Sequence, residues 1–247
     1  MNSRKIILNV LAVGFLAIGL MLSFTSRASV VIAGTRVIYK ATDSEVTVKL
    51  SNVGKSPALT QVWFDKGDPK VDPSKLDLPF ILTPAIARID PTKSQTIRIS
   101  YTGEPMPQDR ESLLWFNLLE VPPKPTEAEA GPNYVQLAFR SRLKFFFRPA
   151  GLQGKSDDAP DKLTWHLTTE KGKASLQVSN PTPYHVTIIS AQIGEGASAP
   201  KFDEGDMVPP GGQISLPLSA AASVNGKVLF TTLNDYGGPA KHEASLQ

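Results

Sequence analysis

The run Asn133-Tyr-Val-Gln-Leu-Ala-Phe-Arg-Ser-Arg-Leu-Lys-Phe-Phe-Phe-Arg-Pro149 is the longest strand-like stretch of the chain. In its first half Val135, Leu137 and Phe139 share one parity and Gln136, Ala138 and Arg140 the other. An extended backbone therefore puts the apolar side chains on one face. On periodicity alone this is an ordinary strand with one face in a core. The run ends in Arg148-Pro149-Ala150-Gly151-Leu152, where proline stiffens the exit and glycine lets the chain turn. A polar stretch from Gln153 to Asp161 follows.

Working outward, the same alternation recurs in short pieces: Glu45 to Leu50, Ala58 to Phe64, Thr96 to Tyr101, Leu113 to Glu120, Ser175 to Val178, His185 to Ile189, Ile214 to Leu218 and Lys227 to Leu233. Their valines, isoleucines, threonines and aromatics suit half-buried strands. In Glu45-Val-Thr-Val-Lys-Leu50 the apolar side chains all point one way, as one face of a sandwich requires. The 21 prolines and 18 glycines punctuate these pieces and leave no long helical period beyond the N-terminal segment. The pattern predicts an all-β protein of antiparallel sandwiches, with domains at 29–150 and 151–247, each about the size of an immunoglobulin-like sandwich.

The N-terminus reads as an export address. Arg4 and Lys5 precede an uncharged run from Ile6 to Ser26, and Ser26-Arg-Ala28 offers the small-x-small arrangement of a cleavage site. Residues 1–28 are expected to be a signal peptide, cut before Ser29. An uncleaved anchor is the competing reading, because Ile6 to Phe24 is about long enough to cross a bilayer core. Loss of Arg4, Lys5 and Arg27 reduces 26 basic residues to match the 23 acidic ones. The mature chain is then formally neutral and offers no electrostatic case for nucleic acid. Without cysteine it has neither disulfides nor thiolate chemistry, so packing alone must hold an exported protein together.

Motifs for catalysis are missing. His166, His185 and His242 are far apart in sequence and none has a partner at the spacing of a metal pair. No G-x-S-x-G, H-E-x-x-H or phosphate-cradling glycine loop occurs. The chain is expected to be no enzyme, with no cofactor, no metal and no small-molecule substrate.

Six stretches together resemble a known family. They are Gly34-Thr-Arg-Val-Ile-Tyr39, Leu78-Pro-Phe-Ile-Leu-Thr-Pro84, Asp109-Arg-Glu-Ser-Leu-Leu-Trp-Phe-Asn-Leu-Leu-Glu-Val-Pro-Pro123, Lys144-Phe-Phe-Phe-Arg-Pro149, Asn180-Pro-Thr-Pro-Tyr184 and Asn234-Asp-Tyr-Gly237. In this order they resemble the chaperones of the chaperone/usher pathway, which escort pilus subunits through the bacterial periplasm. The resemblance implies two immunoglobulin-like domains at an angle with an interdomain cleft. It implies periplasmic localisation, pilus subunits and an outer-membrane usher as partners, and donor-strand complementation as the mechanism, with self-association when free as a further option. The short loop from Pro122 to Pro132 and the absence of cysteine are similar to the short-loop branch. Lys93 and Ser94 stand where the family has glycine, His185 stands where a second aromatic is common, and Phe139 is bulky for its position.

Residue roles follow from the same resemblance. Arg36 and Lys144 match the pair that anchors the client's terminal carboxylate, and Val135, Leu137 and Phe139 match the lending strand's apolar face. Glu111, Arg148 and Asp235 match an ion network between the domains. Two rival classes remain. One is a periplasmic carbohydrate-binding or hydrolytic module on the same scaffold, for which Glu127 and Glu129 are the nearest loop acids. The other is a structural pilus subunit, which would be a single domain, commonly with a disulfide.

Overall fold

The structure is a computed structural model and describes residues 29–125, 135–170, 172–196, 198–220 and 226–247. The segment 1–28, Glu127, Glu129 and Tyr134 lie outside the described residues. Among the described residues, no helix is long and apolar enough to cross a membrane.

The first half contributes nine strands: β1 (Val30–Ile32), β2 (Arg36–Lys40), β3 (Val46–Asn52), β4 (Ala58–Asp65), β5 (Phe80–Thr83), β6 (Ile86–Ile89), β7 (Ser94–Tyr101), β8 (Ser112–Val121) and β9 (Phe139–Arg148). They form two sheets, ordered β1-β3-β7-β5 and β2-β9-β8-β4-β6. The first strand is thus divided between the sheets, and the chain crosses at Gly34, whose φ of 102° is a conformation that only glycine adopts freely. All pairings are antiparallel except β2 with β9, which run parallel from Arg36 opposite Lys144 to Lys40 opposite Arg148. The left-handed turn residue before β7 is Thr92, at φ 64°, and not the Lys93 or Ser94 that the resemblance suggested.

The inward faces meet in an aromatic core. Phe145 packs 4.6 Å from Phe64 and 5.0 Å from Phe80 between ring centroids, and Tyr39 reaches Phe147 at 6.1 Å. Such pairs add to the burial energy that holds two sheets together. Two residues of β9 therefore anchor its second half.

The second half contributes β10 (Thr164–Glu170), β11 (Lys173–Ser179), β12 (Val186–Ile193), β13 (Lys201–Phe202), β14 (Asp206–Val208), β15 (Gln213–Pro217), β16 (Lys227–Leu233) and β17 (Pro239–Ser245). The sheets are β10-β11-β15 and β13-β12-β16-β17, with β14 also on β12. Trp165, Leu176, Ile188, Val228 and Phe230 fill the space between them, with Trp165 4.7 Å from Phe230.

Each half has a buried asparagine at the corner after its central strand. The Asn52 amide donates to the carbonyls of Ser56 and Ile89, and the Asn180 amide to those of Tyr184 and Val208. These bonds satisfy backbone groups that a sharp turn would otherwise leave unpaired.

Candidate functional site

β9 carries the site. Its residues 139–147 pair with β8, whereas β2 covers only 144–148 on the other side. Among the described residues, the edge from Phe139 to Leu143 has no neighbouring strand opposite β8. The run read as one strand through Val135 and Leu137 is corrected: the strand begins at Phe139. β8 ends at Val121 and pairs no further than Glu120 with Phe139, so residues 135–138 have no ladder to join. Val135 is 85% and Leu137 56% exposed, while Phe139 is half-buried.

At the end of that edge Arg36 and Lys144 sit opposite each other in register. The Arg36 Nη1 donates to the carbonyl of Leu233 in the second domain at 3.3 Å, and its guanidinium lies over the Phe146 ring. Its Nε is buried without a partner. The Lys144 ammonium lies 5.9 Å from the Trp115 ring centroid. Neither cation has a carboxylate within salt-bridge distance among the described residues. Burial and the adjacent Arg36 charge hold the Lys144 ammonium below its usual pKa, against a weaker pull from Asp206. Arg36 is lowered by burial in the same way, opposed by Asp235 and Glu111. A cavity of about 230 Å³ opens beside Arg36 and is lined by His185, Leu233, Asp235, Tyr236 and His242.

The third group meets at the junction of the halves. Arg148 Nε donates to Glu111 Oε1 at 2.6 Å, and its two terminal nitrogens donate to the Asp235 oxygens at 2.7 and 2.9 Å. Planar guanidinium suits this double engagement. Burial alone would lower the Arg148 pKa, but the two carboxylates reverse this and raise it. Burial likewise opposes Asp235 ionisation, and Arg148 outweighs it, so the carboxyl titrates below its usual range. Glu111 is buried and its Oε2 also accepts from the His185 backbone N–H at 2.8 Å. The His185 ring is 5.3 Å from Phe146, so the imidazole supplies a flat ring where an aromatic was expected.

A further cluster lies on the outer face of the β9 sheet. Asp65, at the end of β4, accepts from Arg142 at 2.6 Å, from Arg140 at 3.2 Å and from the Asn117 amide at 2.8 Å. Arg140 covers the Trp63 ring and Arg142 the Trp115 ring. These tryptophans are therefore capped by guanidinium groups and do not form the open platform that a sugar-binding module would present.

Two family models match the chain in succession: "Pili and flagellar-assembly chaperone, PapD N-terminal domain" over residues 29–153, and "Pili assembly chaperone PapD, C-terminal domain" over residues 158–244. The chain belongs to the PapD family of pili-assembly chaperones. The probable fimbrial chaperone YadV of Escherichia coli K12 is 42% identical over 227 residues, covering 91% of this chain and 92% of YadV. A crystal structure of the YadV chaperone superposes with a TM-score of 0.74 at 40% identity, covering 89% of this chain and all of that one. The SafB chaperone of Salmonella enterica, solved in complex with the SafA pilin, gives a TM-score of 0.74 at 27% identity, over 90% of this chain and 99% of that one.

Within this chaperone, sequence reading missed Asp65, Trp115, Arg140, Arg142 and Glu120. Parity gave a usable sign for one of them. Leu114, Phe116, Leu118 and Glu120 alternate on β8 and all are buried, so an acid stood on the core face of an otherwise apolar series.

Proposed function

We propose that this chaperone holds a pilus subunit by lending it the free edge of β9, and that Arg36 and Lys144 fix the subunit's terminal carboxylate. A client of this kind is an immunoglobulin-like fold lacking its last strand, with an open groove and an unpaired edge that promote aggregation. A strand lent in trans supplies backbone hydrogen bonds while alternate side chains fill the groove. Val135, Leu137 and Phe139 are the side chains lent.

The observation that carries this reading is the placement, where the open edge stops, of two cations that form no salt bridge among the described residues. A client strand on Phe139–Leu143 would lie in line with β2. Its carboxylate can reach Arg36 and Lys144 only if its C-terminus points toward β2, so it runs parallel to β9. Charge-assisted hydrogen bonds at this half-buried spot are roughly twice as strong as neutral ones. Binding would bring a carboxylate into direct contact with Lys144, which has none within salt-bridge distance among the described residues.

The uncharged run from Ile6 to Ser26 and the family support a periplasmic setting, with an outer-membrane usher receiving the subunit. No step of it is catalytic. Co-expression with a pilus subunit followed by pull-down tests the site. Arg36→Ala, Lys144→Ala and Leu137→Glu should each lower capture at least tenfold with an unchanged circular dichroism spectrum, whereas Lys173→Ala should capture at the parental level. Folded mutants that retain the subunit would overturn the assignment.

A further inference from the structure

Glu120 is only 4% exposed and lies on the core side of β8. Its Oε1 accepts from the backbone nitrogen of Ser29 at 3.0 Å and from the Ser29 hydroxyl, and its Oε2 accepts from the backbone nitrogen of Val30 at 2.9 Å. Among the described residues, no cationic side chain forms an ion pair with it. A carboxylate buried without a counter-charge is heavily penalised.

The surroundings are built around Ser29. Its carbonyl accepts from the Val53 N–H at 2.8 Å. A Cβ on Gly54 would stand 2.5 Å from the Ser29 Cβ, so the chain passes Ser29 at a distance that glycine alone permits. Ser29 itself is half-exposed.

Ser29 is also the residue that follows Ser26-Arg-Ala28. Hydrolysis of the Ala28–Ser29 bond by a leader peptidase consumes one water. It leaves a carboxylate on Ala28 and an amine on Ser29, which takes up a proton to become an ammonium. That nitrogen is the atom already within hydrogen-bonding distance of Oε1. We propose that Glu120 is the receptor for the chain end created by leader removal, so that cleavage turns an amide hydrogen bond into a buried ion pair and completes the fold. This rests on residues 1–28 being a cleaved leader and is independent of how clients are bound. Its consequence is that the exported, cut chain is more stable than the uncut one.

The test uses protein purified from the periplasm, with its first residue read by mass spectrometry. A fraction acetylated at the α-amine is compared with the untreated protein by urea unfolding, for the parent and for Glu120→Gln. Acetylation should lower the parent's folding constant by about tenfold, the scale of a hydrogen bond to a charged group. It should change Glu120→Gln little. The gap should also narrow as pH rises past about 8, where a free chain end loses its proton. A first residue other than Ser29, equal unfolding of the two forms, or an equal acetylation loss in Glu120→Gln would each overturn the proposal. Should Glu120→Gln not fold, a gap of the same size at pH 6.5 and pH 10 would overturn it.

Discussion

Lys144 sits half-buried beside Arg36 and over the Trp115 ring, an arrangement that costs the free protein. Its pKa is lowered by burial and by the Arg36 charge. The unfolded chain therefore holds this proton more tightly than the folded one, and the charged form weakens the fold at neutral pH. Lys144→Met should stabilise the free chaperone in urea unfolding by about 0.5 kcal/mol for a partly screened charge, seen as a higher midpoint, while abolishing subunit capture. A lower midpoint with capture intact would contradict a role in binding. The same contrast separates Lys144 from Arg148, whose charge is matched within the chain by Glu111 and Asp235.

β9 is secured differently along its length. From Lys144 onward it lies between two strands and drives Phe145 and Phe147 into the core, whereas Phe139–Leu143 has one neighbouring strand and is held from the outer face by Asp65 through Arg140 and Arg142. Asp65→Asn should leave those two arginines without their carboxylate and cost about 2 kcal/mol. Amide exchange should accelerate at residues 139–143 while 145–147 stay protected; uniform exchange along the strand would mean that Asp65 does not stiffen its first half. The alternation that announced β9 could not show where it begins, because pairing depends on how far β8 extends and not on the strand's own residues. β8 was legible for the opposite reason, having apolar core parity through Leu114, Phe116 and Leu118. β17 gave no sign at all: Pro239-Ala-Lys-His-Glu-Ala-Ser245 has no β-branched or large apolar residue and becomes a strand only by pairing with β16. Asp65 was hidden because it meets Arg140 and Arg142 across 75 and 77 positions of sequence.

At the junction of the two halves Arg148 engages Glu111 of the first and Asp235 of the second. Removing it by Arg148→Ala leaves Glu111 and Asp235 facing one another, and should cost about 3 kcal/mol as a broken, largely buried pair. Urea unfolding compared with the parent checks this, and equal midpoints would mean that the network adds no net stability. The pH dependence has a definite sign. Asp235 has a folded pKa below its unfolded one, so its contribution is full above the ordinary carboxylate range near pH 4 and is lost as pH falls through the lower folded value. The parent should therefore lose more stability on acidification than Arg148→Ala does. β2 has another consequence when the open edge beside it receives a client. In the binding mode proposed above it would act as an end-stop, so that alignment is measured from the guest's last residue and not from the guest's composition. Guests of unrelated sequence can then be seated in one phase. A guest lengthened by one residue would present its wrong face to the lent side chains, and one lengthened by two would keep its faces but stand one pleat out of step.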